Sequence, residues 1–183
     1  ELFGMSSMMK VDQNSKGFIA QRALGSGIQN LLFTDIRNLK DADECVKIVK
    51  PETPEFMGNN GSHNRRNVGY GIEGGSPDYV NAMNESVIAL MIEKKGSIDH
   101  LEKILALKGI DMLQFGPSDY SLSIGRVGQK KHPEVKEAEL KMIKAAVRLG
   151  IRPRLELGSI HLNKDDIKKY IDLGVKDFNL PHD

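Results

Sequence analysis

The chain has 183 residues, 39% of them hydrophobic, enough to bury one substantial core and unlike a disordered, collagen-like or disulfide-rich composition. Lys and Arg number 26 against 25 Asp and Glu, leaving a formal charge of +1, so no overall field selects nucleic acid, an anionic membrane or an acidic polymer. The single cysteine, Cys45, has no intrachain partner, and neither an apolar run of about 18 residues nor a basic-then-apolar leader is found, so a reduced, cytoplasmic setting is the expectation.

In chain order, Glu1–Ser7 reads as the tail of a helix and Met8–Val11 as the first of six apolar runs rich in β-branched or aromatic residues. Gln29–Thr34 is the second. Asn38, with Asp41 three residues on, opens a helix over Leu39–Lys50, in which Leu39, Ala42, Val46 and Val49 form one stripe. Pro51–Ser76 is long, rich in Gly and Asn and without periodicity, as functional or mobile loops are. Ser76-Pro77 then sets a cap residue before a proline at the first helical position.

The runs Val87–Glu93 and Ile110–Phe115 flank a helical pattern with Ile98, Leu101, Ile104 and Leu105 on one face. Pro133, followed by Glu134 and Glu137, starts a helix that extends to Leu149 and stops at Gly150. Its apolar face carries Val135, Ala138, Met142, Ala145, Ala146 and Leu149. Arg152–Leu157 and Val175–Leu180 are the last two runs, separated by a shorter helix that Asn163 caps and that bears Ile167, Tyr170 and Ile171.

Most of these runs are continuous in hydrophobicity rather than alternating, as in parallel strands covered on both faces. Strand and helix alternate, which means parallel βα units in an open sheet or a closed barrel. No glycine-rich dinucleotide fingerprint follows the first strand, which weakens the open sheet. A closed barrel has eight strands and about 250 residues. The expected fold class is therefore α/β, a (β/α)8 TIM barrel over residues 1–183 as a single partial domain, lacking the first two βα units and the closing helix.

In such folds chemistry collects where strands run into the loops that precede helices. Those ends offer Lys10 and Asp12, Thr34 and Asp35, Glu93, the segment Gly116-Pro117-Ser118-Asp119, Glu156, and Pro181-His182-Asp183, to which no role is assigned. Glu93 and Asp119 would face one mouth from adjacent strands, and hard divalent cations such as Mg²⁺ and Mn²⁺ are often held by one or two carboxylates with waters and substrate completing the shell. Gly116 lets the backbone approach a ligand, and the N–H groups of Ser118 and Asp119 could cradle a carboxylate. On spacing alone, a solvated strand end at Glu93 and a turn-capping Asp119 are an equal reading. Lys94 and Lys95 are expected to point to solvent.

The segment ALMIEKKGSIDHLEKILALKGIDMLQFGPSDYSLSIG resembles the central signature of the 2-keto acid class II aldolases, the HpcH/HpaI aldolase group related to citrate lyase: a strand ending in Glu, a helix with a Leu-Glu-x-Ile-Leu run, and a GP-x-D-x-S loop. The likeness continues through HPEVKEAE and upstream through IQNLLFTDIRNLKDADECVKIVKP, and it thins at both ends. It implies a TIM barrel, with Glu93 and Asp119 holding Mg²⁺ or Mn²⁺ and the metal chelating a 2-oxo acid. It also implies cleavage of a 4-hydroxy-2-oxo acid to pyruvate and an aldehyde, and a homo-oligomer, a hexamer in the family. Gly116, Pro117, Ser118 and Asp119 would then form the substrate-binding loop. The family's arginine at an early strand end, which assists at the substrate carbonyl oxygen, is matched here by Lys10; as the expected catalytic residue it keeps the charge but lacks the planar fork. Its Arg-containing Gly-rich loop, at a subunit contact, is matched by Arg65 and Arg66, which could meet an acidic substrate. Its His-Asp proton-handling pair has no counterpart in this chain, and His63, in GNNGSHNRRN, reads as a solvated loop residue. Two rival functions share the resemblance: a lyase of the malyl- or citramalyl-CoA type, and a non-catalytic barrel paralogue serving assembly.

Overall fold

In the computed structural model of the chain, residues 4–63, 65–157 and 164–179 are described. Six strands form one sheet in sequential order: β1 (Met8–Val11), β2 (Asn30–Phe33), β3 (Ile88–Ile92), β4 (Met112–Phe115), β5 (Arg152–Glu156) and β6 (Asp177–Asn179). Every neighbouring pair is parallel. The sheet curls into half a barrel. Each sequence-derived strand is present, trimmed by one or two residues at most ends.

Helices supply the crossovers: α1 (Lys16–Ser26), α2 (Leu39–Val49), α3 (Pro77–Asn84), α4 (Lys95–Asp99), α5 (Leu101–Leu105), α6 (Pro117–Ser123), α7 (Pro133–Arg148) and α8 (Lys164–Asp172). Asn38 caps α2 by accepting from the Asp41 N–H, and Ser76 caps α3 by accepting from the Tyr79 N–H, each as its side-chain chemistry requires. The helix expected through Ile98 and Leu105 is two short helices that meet at His100. The cap assigned to Asn163 and the strand-end segment Pro181-His182-Asp183 lie outside the described residues. Gly4–Ser7 is irregular chain, so the helical tail expected there does not extend to these residues.

The two faces of the sheet differ. Leu31, Phe33, Ile88, Leu90, Ile92, Leu113, Phe115 and Leu155 belong to the main core, with the apolar stripes of the helices over them. The alternate residues Leu32, Ala89, Met91 and Met112 form a smaller cluster with Met8 and Val87 on the concave face. All five residues of β3 are buried, the pattern of a strand covered on both sides. Because period two governs a strand, residues continuing the concave series at the C-terminal strand ends project into the mouth.

Candidate active site at the mouth of the half-barrel

Glu93 follows β3 and continues the concave series Val87, Ala89, Met91. It is 3% exposed, and its Oε1 accepts a hydrogen bond of 2.7 Å from the Asp35 N–H, from the loop after β2. Gly116, immediately after β4, is hydrogen-bonded through its N–H to Ile92 O at 3.1 Å. A Cβ built on Gly116 would lie 2.6 Å from Glu93 Oε2 and 2.7 Å from Glu93 Cβ. The absent side chain is thus the space that the Glu93 carboxylate occupies.

Pro117 opens α6, and Tyr120 N–H is the first to find an intrahelical partner, Gly116 O at 2.9 Å. The N–H groups of Ser118 and Asp119 precede that bond and so stand at the positive end of the helix. Asp119 sits in this first turn. Ser123 Oγ accepts from the Lys95 N–H at 2.9 Å, tying the end of α6 to the loop after β3.

Lys94 corrects the expectation of a solvent-facing side chain. Its ammonium pairs with Asp35 Oδ1 at 2.7 Å and Asp119 Oδ1 at 3.4 Å, a cation lying between two carboxylates of the mouth. Lys95 behaves as expected and is exposed, paired with Asp99 along α4. The Lys94 hydrogen bond holds the Asp35 carboxyl below its ordinary range, against partial burial. Burial raises Glu93; the Asp35 N–H opposes the rise and the Asp119 charge adds to it. Burial disfavours the Lys94 ammonium, but its bond to Asp35 and the surrounding carboxylates outweigh this and leave its pKa raised.

The donor set fits a hard divalent cation sparingly. Among the described residues no group of three or more His, Cys, Asp or Glu converges as a complete metal cage. Two oxygen-donor carboxylates from adjacent strand ends suit an ion that retains waters and substrate in its shell. The Glu93 oxygen turned toward Gly116 is kept clear by the missing Cβ.

The remaining sequence-derived candidates are spread more widely. Lys10 is exposed on β1 and level in register with Leu32 and hence Ala89, while Glu93 lies four residues beyond Ala89, just past the end of β3. Arg65 is 7% exposed and held on the helical side, its Nη2 donating to Gln21 Oε1 of α1 at 2.7 Å. Its Nη1 is buried without a hydrogen-bond partner among the described residues, and burial lowers its pKa. Arg66 runs along Gly27 at the end of α1. Neither arginine touches Glu93 or Asp119. His63 is exposed in a loop whose backbone Tyr79 pins, its hydroxyl donating to His63 O at 2.6 Å. A concave polar residue that pattern reading passed over is Gln114, 2% exposed in β4, which donates to Glu156 Oε2 at 3.4 Å. Its signal was a lone polar residue in an otherwise apolar strand.

A parallel βα sheet curled into half a barrel, with carboxylates from two adjacent strand ends at its mouth, defines a barrel-type α/β protein with an acidic site. The chain belongs to the HpcH/HpaI aldolase/citrate lyase family, whose model matches residues 2–180. A hydroxypyruvate/pyruvate aldolase from Paraburkholderia phytofirmans is 30% identical over 141 residues, 75% of this chain and 53% of that protein. A 5-keto-4-deoxy-D-glucarate aldolase from Klebsiella pneumoniae is 29% identical over 85% of this chain and 58% of its own length. The chain thus spans about half the length of these curated relatives. The crystal structure of an HpcH/HpaI aldolase from Desulfitobacterium hafniense superposes with a TM-score of 0.80 at 24% identity, covering 98% of this chain and 67% of that one.

Proposed function

We propose that this chain carries the metal-binding half of a class II aldolase that cleaves or forms a 4-hydroxy-2-oxo acid through a pyruvate enolate. Its half-barrel is then part of a (β/α)8 barrel. The observation that carries the reading is the fit of Glu93 against Gly116: a buried carboxylate, ionisable only at a cost, seated where a glycine makes room for it. A group held at such a cost is explained by a cation that it serves. Glu93 and Asp119 would hold Mg²⁺ or Mn²⁺. When bound, the ion supplies Lewis-acid stabilisation of the enolate oxygen.

The chain's own groups do the positioning. The Asp35 N–H fixes one Glu93 oxygen, so the carboxylate presents the other. The Ser118 and Asp119 N–H groups, ahead of the first α6 hydrogen bond, would receive the substrate carboxylate, with Gly116 and Pro117 shaping the backbone beside it. Lys10, Arg65 and Arg66 enter the reading on the family resemblance alone, and no general base is assigned within this chain. The keto-acid names of the relatives agree with a 2-oxo acid as substrate.

The test is exchange of pyruvate methyl protons with D₂O in the presence of Mn²⁺. Exchange that requires both the metal and Glu93, and disappears in Glu93→Gln, supports the proposal. Exchange equal in the variant refutes the assignment of Glu93, and tight Mn²⁺ binding without exchange favours the thioester-lyase or assembly reading.

A further inference from the structure

The loop joining β2 to α2 is built around an unfavourable backbone conformation. Asp35 has φ +56°, in the left-handed region that non-glycine residues adopt at a cost, although Asp does so more readily than most. Its neighbours hold it there. Gln13 Nε2 donates to Thr34 O at 2.6 Å, Arg37 Nη1 donates to Asp35 O at 3.0 Å, and the Asp35 N–H is committed to Glu93. On the far side, Gly96 lies so close to Arg37 O that a Cβ there would stand 2.4 Å from it. Strain retained against so many restraints points to a role for the strained residue.

The direction of the Asp35 side chain shows which role. The left-handed turn sends the N–H toward Glu93 while the carboxylate takes Lys94 Nζ at 2.7 Å, the shorter of that ammonium's two ion pairs; Asp119 is the longer, at 3.4 Å. Lys94 is the one cation among the described residues in contact with a carboxylate assigned to the metal. Drawn fully onto Asp119, it would occupy the oxygen that a divalent ion needs.

We propose that Asp35 is a positioning residue with two tasks: its backbone orients Glu93, and its carboxylate draws Lys94 toward itself and limits its hold on Asp119, keeping the Glu93–Asp119 pair open to a divalent cation. The inference rests on the metal reading above and goes beyond it, because it makes cation affinity depend on residues that do not themselves ligate the ion. Loss of the Asp35 charge releases Lys94 to Asp119 and masks the site. Loss of Lys94 removes the competitor, and with it the need for the parking place.

The experiment is Mn²⁺ titration, with free Mn²⁺ followed by electron paramagnetic resonance, on the whole chain and on Asp35→Asn, Lys94→Met and the double variant. Asparagine retains the N–H and tolerates the left-handed backbone, so Asp35→Asn tests the charge alone. Asp35→Asn is expected to weaken Mn²⁺ binding by about tenfold, Lys94→Met to tighten it by several-fold, and the Asp35→Asn effect to shrink to about threefold or less in the Lys94→Met background. Equal effects in both backgrounds mean that Asp35 acts only as one more negative charge, which overturns the parking role, as does unchanged affinity in Lys94→Met. Binding to the parent chain that Glu93→Gln leaves intact, or no binding at all, instead overturns the metal reading and the inference with it. Thermal melts of the four proteins separate lost affinity from lost fold.

Discussion

Replacing Gly116 by alanine adds one methyl group against Glu93 in the mouth. The backbone at 116 has φ −105°, which any residue adopts, so the effect is purely steric. The added carbon would stand 2.7 Å from Glu93 Cβ and 2.6 Å from Oε2. Carbon atoms pack at about 3.5–4.0 Å, so about 1 Å of overlap must be relieved. The carboxylate end can swing, but the Cβ contact can relax only if β3 and β4 separate, and the Gly116 N–H to Ile92 O bond opposes that. Overpacking of this kind costs about 1–3 kcal/mol. At about 2–4 °C per kcal/mol for a chain of this size, the melting temperature should fall by several degrees. The displaced Glu93 loses its place beside the Asp35 N–H, and Mn²⁺ affinity should fall by about tenfold or more. Gly25, inside α1 with nothing near its missing Cβ, is the internal control: Gly25→Ala should stabilise by about 0.5–1 kcal/mol and leave Mn²⁺ binding alone. A Gly116→Ala protein that melts and binds Mn²⁺ like its parent would refute the packing argument and remove the main support for Glu93 as a seated ligand.

Two further outcomes follow from buried charge. Burial raises the folded-state pKa of Glu93 from its ordinary 4.5, so the stability its protonated form provides is present below that value and is lost as pH rises through the raised one. Glutamine can still accept from the Asp35 N–H and never ionises; without metal, urea melts should therefore show Glu93→Gln equal to the parent near pH 4.5 and more stable at pH 7.5, and a variant less stable at pH 7.5 would contradict this. Lys50 is 3% exposed, donates to Asn84 O at 2.8 Å and Ser86 O at 3.0 Å, and stands 5.7 Å from the Phe56 ring centre. Lys50→Ala strands two carbonyls behind a cavity and should cost about 2–4 kcal/mol in the same assay, with Mn²⁺ affinity unchanged; a loss under about 0.5 kcal/mol would show that water replaces the ammonium.

What the sequence revealed and what it hid divide along physical lines. The strands were legible because burial on both faces leaves continuous apolar runs, and the same runs mark the ends after which Glu93 and, one short loop later in the first turn of α6, Asp119 stand. The helices α2, α3 and α7 announced themselves through Asn38, Ser76-Pro77 and Pro133, all local signals. Helix α1 had no start signal, only the glycine that ends it, Gly27: no acidic residue opens it, Gly17 and Gly25 lower its propensity, and it is held by burial of Ala20, Ala23 and Leu24 against the sheet, a tertiary effect. The split at His100 and the extent of the strand ends depend on the same packing.

The misreading of Lys94 has a sharper cause. A lysine just past a strand end reads as a solvated charge unless opposite charges are known to lie near it, and its partners Asp35 and Asp119 sit 59 residues before and 25 after it in the chain. Only the parallel register that sets β2, β3 and β4 side by side brings the three together, and only the left-handed turn at Asp35 aims a carboxylate and an N–H at neighbouring residues of β3's end. Sequence pattern thus locates the carboxylates proposed as metal ligands, because each stands at or just past a strand end. The residues that govern how open those ligands stand are a property of adjacent strand ends taken together, and for that reason the loop after β2 is where relatives with the same carboxylate pair can be expected to differ in cation affinity.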